Sequence, residues 1–339
     1  MNLKKKFTEI FGGDEGAIHT FHAPGRVNII GEHTDYNGGF VLPCAINMGT
    51  DVLIRRRGDD DVLFATVNDV PQGWEVYPKG IVHYMKKRKK IGGFEMLFYG
   101  NIPSGSGLSS SASIEMATAV ALNETFDAGI EMLDLVLLAQ ESENNFCGVN
   151  CGIMDMFAIG MGKEGFATYL HCDSLRFDYV PLNLGDFQIV IMDTKKRRSL
   201  NESRYNERRA ECEAKHPARM RHVQSENERV KAAVNALEAG DVNALGQLLV
   251  ESHNSLRNDF EVSCIELDTL VDLAKKNPAC VGARMTGAGF GGCAIALVLR
   301  EKVAEFSDAI SADYEKIVGH APAIYPAESA SGARKVNTL

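Results

Sequence analysis

Residues 101–122 constrain this chain more than any other stretch. They read Asn101-Ile-Pro-Ser-Gly-Ser-Gly-Leu-Ser-Ser-Ser-Ala-Ser-Ile-Glu115 and run on through Met-Ala-Thr-Ala-Val-Ala-Leu122. Gly105 and Gly107 permit positive φ and close backbone approach. Ser109, Ser110 and Ser111 set three hydroxyls side by side, and from Ala112 onward the residues are good helix formers. A glycine-rich turn feeding a helix N-terminus gathers unpaired N–H groups and the positive end of the helix dipole at one point, where an anion such as phosphate binds. The Walker pattern would place Gly-Lys-Ser/Thr here, but no lysine lies between Asn101 and Leu122. Phosphates would therefore have to be met by amides, hydroxyls and a metal. A serine-rich N-cap on an ordinary helix accounts for the stretch equally well when it is taken alone.

Bulk properties exclude several classes. A chain of 339 residues suits about two domains. Lys and Arg number 36 against 45 Asp and Glu, a net charge of -9, which is not the basic footprint of a nucleic-acid binder. The one basic run, Lys86-Lys-Arg-Lys-Lys90, reads as a solvated helix end. No apolar run is long enough for a transmembrane helix, and the N-terminal lysines are not followed by the apolar segment of a signal peptide. The eight cysteines are scattered without a Cys-x-x-Cys pair, so reduced thiols in a cytoplasmic protein are expected.

Along the chain, a short helix is expected at 3–11 and a strand from Ile18 to Ala23 that Pro24-Gly25 breaks. Antiparallel strands follow at Phe40 to Leu42, Thr50 to Arg55 and Val62 to Val67, then a helix from Trp74 to Lys87 and a strand from Phe94 to Gly100. A helix from Glu131 to Asn145 aligns Val136, Ala139 and Glu143 on one face, so an acid continues a buried stripe or reaches solvent at the helix end. Strands at Phe166 to Leu170, Phe177 to Leu182 and Phe187 to Asp193 precede helices at 202–215, 222–239, 242–258 and 264–276. The near-continuous apolar run ending at Asp193 suggests a central strand. Strands Gly282 to Met285 and Cys293 to Leu299 flank a glycine-rich loop, and a helix (Val303 to Val318) and a strand near Ala323 to Tyr325 complete a second module. The boundary falls near 180–195.

Two further stretches carry chemistry. Arg26, Glu32, His33 and Asp35 crowd into a segment too rich in Gly, Asn and Asp to be helical. Asp155 sits among Ile153, Met154, Met156 and Phe157, where a carboxylate is either an N-cap or a working group. Taken alone, it is better explained as a cap.

Three separated motifs together resemble the GHMP small-molecule kinases, and within them the galactokinases. Gly31-Glu-His-Thr-Asp-Tyr-Asn-Gly38 is similar to the galactokinase signature, Pro103-Ser-Gly-Ser-Gly-Leu-Ser-Ser-Ser-Ala112 to the ATP-phosphate motif, and Met285-Thr-Gly-Ala-Gly-Phe-Gly-Gly-Cys293 to the third motif. Cys151-Gly-Ile-Met-Asp155, Ser203-Arg-Tyr-Asn-Glu-Arg-Arg-Ala-Glu-Cys212 and the region 251–263 agree as well, so the resemblance covers nearly the whole chain. It implies an α+β fold of two domains: residues 1–185 with a mixed sheet and helices, and residues 186–339 forming a ferredoxin-like α/β domain, with the active site between them.

The resemblance also implies roles. Asp155 is the expected catalytic carboxylate and Arg26 its partner, since an adjacent guanidinium keeps a carboxylate ionised and can stabilise charge on a transferring phosphoryl group. Glu32, His33, Asp35, Gly152 and Tyr205 are the expected sugar-binding set. Gly105, Ser106, Gly107, Leu108, Ser109, Ser110 and Ser111 would hold the nucleotide phosphates, with Trp74 near the adenine. Ser111 and Glu143 would hold Mg2+ beside ATP. Trp74 as core and His33 as a satisfied structural histidine are the plain alternatives. The implied activity is transfer of the ATP γ-phosphoryl group to C1 of α-D-galactose, the entry to galactose catabolism (the Leloir pathway), in a cytoplasmic monomer binding neither nucleic acid nor membrane.

Several features depart from the family pattern. The chain is shorter before the first motif, between Arg55 and Trp74, and between Cys212 and His222. Met156 stands where Gln is usual and Ala288 where Gly is usual. Two other readings keep the motifs: a kinase for N-acetylgalactosamine, galactosamine or arabinose, and a non-catalytic galactose and ATP sensor. Against the sensor, Ser109-Ser-Ser-Ala-Ser113 is complete and Asp155 is present.

Overall fold

The computed structural model describes residues 1–196 and 201–337, with the side chains of 201–203 outside the description, Ser203 of the family-like segment among them. In chain order the elements are α1 (Leu3–Phe11), β1 (His19–Asn28), β2 (Phe40–Val41), β3 (Pro43–Arg56), β4 (Val62–Thr66), α2 (Val76–Arg88), β5 (Phe94–Gly100), α3 (Ser110–Thr125), α4 (Met132–Asn145), α5 (Met154–Met161), β6 (Phe166–His171), β7 (Arg176–Pro181) and β8 (Phe187–Asp193). There follow α6 (Asn201–Glu213), α7 (Pro217–Ala239), α8 (Val242–Ser255), a π-helical turn at Leu256–Phe260, α9 (Ile265–Lys276), β9 (Cys280–Thr286), β10 (Cys293–Leu299), α10 (Val303–Val318), β11 (Ala323–Ala327) and β12 (Arg334–Val336).

The strands form a five-stranded sheet in the order β12-β1-β3-β5-β4, a four-stranded sheet β11-β8-β10-β9 and a three-stranded sheet β2-β6-β7. The first is mixed, because β4 pairs parallel with β5, contrary to the antiparallel arrangement expected. The connection between them carries the chain through α2, and a crossover of that length returns a strand in the same direction. The second sheet is antiparallel throughout and packs on helices, as the ferredoxin-like expectation requires.

The apolar run of β8 is explained by burial on both faces. Ile189 and Ile191, with Ile295 and Leu297 of β10, enter a core shared with Val27, Ile29 and Leu42 of the N-terminal half and with Val230 and Leu245 of α7 and α8. Val190 and Met192, with Ala294 and Ala296, face Leu267, Leu270, Phe306 and Tyr314 instead. Side chains alternate across a strand, so only a strand covered on both sides is apolar at every position. Helix α3 is likewise buried nearly all round, between the five-stranded sheet and α2, α4 and α5. Its run of alanines lets those neighbours approach.

Two expectations are corrected here. Pro24-Gly25 does not end the first strand: β1 continues to Asn28, and the ladder with β3 shifts register between those two residues. A bulge absorbs the missing proline donor, and the strand thereby delivers Arg26 and Asn28 to the site. Helix α7 begins at Pro217 rather than 222, with the proline in its first turn, where a missing N–H costs nothing.

Candidate active site

β5 leads into the serine-rich turn, and three positive φ values bend it. Gly105 lies at 72°, Gly107 at 80° and Ser109 at 63°. Ser109 occupies the N-cap position of α3, yet its hydroxyl makes no cap bond and donates to Asp155 Oδ2 at 2.5 Å. A non-glycine residue held in the left-handed region costs about 1 kcal/mol or more, and here that strain turns a hydroxyl toward a carboxylate. The third-motif loop closes against the turn: a Cβ on Gly287 would sit 2.9 Å from the Gly107 carbonyl oxygen. A cavity of about 720 Å³ runs along the turn, bordered by Gly105, Ser106, Gly107, Ser109, Ser110 and Ser111 and by Trp74. Ser106 Oγ is buried there without a hydrogen-bond partner. Trp74 packs edge-on to Phe98 at 5.2 Å between ring centres. Leu108 is the exception among the expected nucleotide residues: its side chain is buried in the shared core, and its carbonyl accepts from Arg26 N at 3.3 Å.

Asp155 lies in the first turn of α5, but the N-cap is Ile153 and Asp155 is no cap. Its two oxygens accept a fork from Arg26, Nε to Oδ1 at 2.8 Å and Nη2 to Oδ2 at 2.9 Å. Arg26 Nη1 donates to the Gly107 carbonyl at 2.8 Å. A guanidinium has five N–H donors, so two remain for another anion. Arg26 is only 4% exposed, whereas the Asp155 side chain keeps 27% of its surface open toward the cavities.

A second cavity of about 290 Å³ adjoins the first, and Arg26, Tyr77, Ser111, Asp155 and Ala288 border both. Glu32, His33, Asp35, Gly152 and Tyr205 line the smaller one, so the expected sugar set converges. Glu32 is 1% exposed, and burial pushes its carboxyl up to about 7 against the pull of Arg284 and Arg26. Asp35 is pushed up to about 6 by burial first and then by the charge of Asp155. Gly152 has no room for a Cβ because the Asp35 carboxylate fills that space. Tyr205 lies against Tyr36 and His33, at 5.5 and 5.7 Å between ring centres, and burial raises its phenol.

His33 adopts φ 61° and has both ring nitrogens engaged. Nε2 lies 3.2 Å from the Ala288 carbonyl, which can only accept, so Nε2 carries the proton and Nδ1 accepts from the Tyr36 hydroxyl at 2.7 Å. Burial holds the ring neutral, its titration pushed down to about 3. The ring therefore walls the cavity and braces the third-motif loop.

Ser111 and Glu143 meet at the junction. The Ser111 hydroxyl bonds to the Glu143 carboxylate, and burial pushes that acid up to about 7. Glu143 belongs to no ion pair among the described residues, and no three His, Cys, Asp or Glu side chains there form a metal cage. A hydroxyl and a carboxylate without a cation are a donor set that suits magnesium, which takes one or two protein oxygens and completes its shell with phosphates and water.

Sequence reading missed the supports. Asn28 and Thr286 bond to Glu32, Gly287 N donates to Glu32 Oε1 at 2.5 Å, and Arg284 lies 3.6 Å from Oε2. Glu226 of α7 accepts from Gly31 N at 3.0 Å, and His222 Nε2 donates to the Glu32 carbonyl at 3.0 Å. The spacing of Arg219, His222 and Glu226 on one helix face, in line with the apolar stripe Val223, Val230, Ala233 and Leu237, was the available signal.

The family model described as the galactokinase galactose-binding signature matches residues 5–56, and those for the GHMP kinase N-terminal and C-terminal domains match 76–163 and 233–316. The galactokinase of Streptococcus thermophilus is 44% identical over 382 aligned positions, covering 98% of both chains, and that of Clostridium beijerinckii is 43% identical over 384, again covering 98% of each. These alignments are longer than the 339 residues here, so the relatives carry segments this chain lacks. The crystal structure of Lactococcus lactis galactokinase complexed with galactose superimposes with a TM-score of 0.94 at 40% identity, over 98% of this chain and 99% of that one. Methanococcus jannaschii mevalonate kinase, at 20% identity and a TM-score of 0.73, shares the fold. On its full-length identity, its signature and its two-domain fold, the chain belongs to the galactokinases of the GHMP kinase family.

Proposed function

We propose that this enzyme transfers the γ-phosphoryl group of ATP to the C1 hydroxyl of α-D-galactose, giving α-D-galactose 1-phosphate and ADP. The observation that carries the reading is the meeting of the two cavities at Asp155 and Arg26, one lined by acids and a phenol and the other by the serine-rich turn. Glu32 and Asp35 accept hydrogen bonds from sugar hydroxyls, Tyr205 and Gly152 shape the wall, and His33 keeps it rigid. Asp155 accepts the hydrogen bond of the C1 hydroxyl and so aims its oxygen at phosphorus. Because phosphoryl transfer is largely dissociative, the proton reaches Asp155 late. The two spare N–H groups of Arg26 meet charge on the transferring oxygens. The amides of 105–111 and the hydroxyls of Ser106 and Ser110 cradle the phosphates, with the nucleobase beside Trp74, while the Ser109 hydroxyl gives its one proton to Asp155. Ser111 and Glu143 are the residues that would hold Mg2+, which when bound neutralises phosphate charge.

The division into residues 1–185 and 186–339 is likewise our reading, with β12 lying back on the first sheet. The eight free cysteines suit a cytoplasmic setting, and among the described residues no helix is long and apolar enough to cross a membrane. Monomeric action fits the dispersal of the exposed large apolar side chains, such as Leu63, Leu137, Ile265 and Ile317, over separate elements.

An ADP-release assay over galactose, N-acetylgalactosamine, galactosamine, arabinose and glucose tests the reading. Preferred turnover of galactose with phosphate on C1 is expected. Turnover of another sugar in preference, or sugar and ATP binding without product, contradicts it.

A further inference from the structure

Arg284 is fully buried at the end of β9, borders neither cavity, and spends its donors on the sugar loop. Nη1 donates to the carbonyls of Asn28 at 3.0 Å and Ile29 at 3.2 Å, just where β1 gives way to the loop that carries Glu32. Nε donates to Ser252 Oγ at 3.2 Å, and Ser252 donates in turn to Glu226 Oε1 at 2.6 Å, the same oxygen that receives Gly31 N. Nη2 has no hydrogen-bond partner and lies 3.6 Å from Glu32 Oε2, an ion pair across the rear of a carboxylate whose other side faces the sugar cavity. An uncompensated guanidinium in such a place is very costly, so this one is matched to the loop in front of it.

We propose that Arg284 is a positioning residue for sugar recognition: from behind, it sets the orientation and the ionised state of Glu32, and ties the sugar loop to the C-terminal sheet. Other groups also face Glu32. Asn28 of β1, Thr286 at the end of β9, Gly287 after it and the charge of Arg26 meet its carboxylate, while His222 and Glu226 of α7 hold the main chain at Glu32 and Gly31, and among the cations Arg284 exerts the largest pull on its titration. A planar fork reaching two carbonyls, a hydroxyl and a carboxylate at once cannot be replaced by an ammonium group.

This inference rests on Glu32 reading the sugar, and its test separates the two. Arg284→Met and Arg284→Lys are made in the full chain and in the E32Q background, with folding followed by Tm and circular dichroism. R284M is expected to raise KM for galactose about 10- to 100-fold, the loss typical of a hydrogen-bonded charge, while KM for ATP stays within about twofold. The acid limb of kcat/KM for galactose should move to higher pH, because Glu32 loses the cation that favours its charged form. R284K, which serves even if R284M does not fold, should raise KM for galactose while leaving the acid limb near its original position. In the E32Q background either substitution should add less than it costs the unsubstituted chain, because only the tie to the loop carbonyls and Ser252 is left to lose. Equal loss of affinity for galactose and ATP, an unmoved acid limb in R284M, or losses that multiply fully in the double variants would overturn the inference. If the unsubstituted chain is inert toward galactose, the functional reading falls instead. The pairing is then read without sugar, where R284M must lower Tm more when Glu32 is present than in E32Q, and equal losses refute it.

Discussion

Gly152 and Asp35 share one space: the Asp35 carboxylate lies where a side chain on residue 152 would have to begin. Asp35 enters from the sugar-signature loop and Gly152 from the turn before α5, so the fit joins two stretches far apart in sequence. Gly152→Ala must push that carboxylate aside. The expected result is a rise of at least tenfold in KM for galactose with ATP binding little changed, and galactose titration calorimetry checks it. Unaltered galactose affinity would show that Asp35 does not read the sugar.

Arg26→Lys keeps a positive charge but loses the two-point grip on Asp155 and the bond to Gly107. A fall in kcat of about 100-fold or more is expected, in line with removal of one preorganised transition-state donor. Steady-state kinetics at saturating galactose and ATP provide the measurement. A near-normal kcat would remove Arg26 from the phosphoryl-transfer role.

Glu32 and Asp35 predict opposite trends for activity and stability with pH. Both carboxyls are pushed up by burial, to about 7 and about 6, and in the proposed function both serve the sugar as charged acceptors. Galactose affinity should therefore weaken as pH falls through 7 toward 6. A raised folded-state value favours the protonated acid, so the stabilisation Glu32 contributes is present below its ordinary 4.5 and lost as pH rises through about 7. In the ligand-free chain, Tm of E32Q relative to the unsubstituted protein should thus rise between pH 4.5 and 7. A flat difference across that window would contradict the assignment.

How much of this was legible beforehand depended on sequence distance. The serine-rich turn could be read because Gly105 and Gly107 are the residue type that its φ values demand. The strands of the central sheets could be read because two-sided burial leaves them apolar at each position. What stayed hidden was polar and remote. Arg284 meets Asn28 across 256 positions, and Glu226 meets Gly31 across 195. No local pattern links such pairs, and an arginine in a strand looks like a surface residue until its carbonyl partners are known. β12 was missed for another reason: Arg334–Val336 is three residues long, two of them charged, with pairing to β1 as its structural role. Leu108 was grouped with its glycine and serine neighbours, whereas its side chain turns to the core.

Glu143→Gln should separate metal from sugar. The amide keeps the shape and hydrogen bonding but weakens the grip on a hard cation. KM for ATP at limiting Mg2+ is expected to rise, and to recover in part at high Mg2+, while galactose affinity is unchanged. Magnesium titrations at fixed ATP check this. An identical magnesium dependence in the variant would remove Glu143 from the metal site.

The central claim is that Asp155, gripped by Arg26 and Ser109, handles the sugar hydroxyl that is phosphorylated. Its most direct test is kcat of Asp155→Ala with galactose and ATP, measured beside Tm. The account predicts a loss of several orders of magnitude in kcat in a protein that remains folded. Turnover within about tenfold of the unsubstituted enzyme would contradict it.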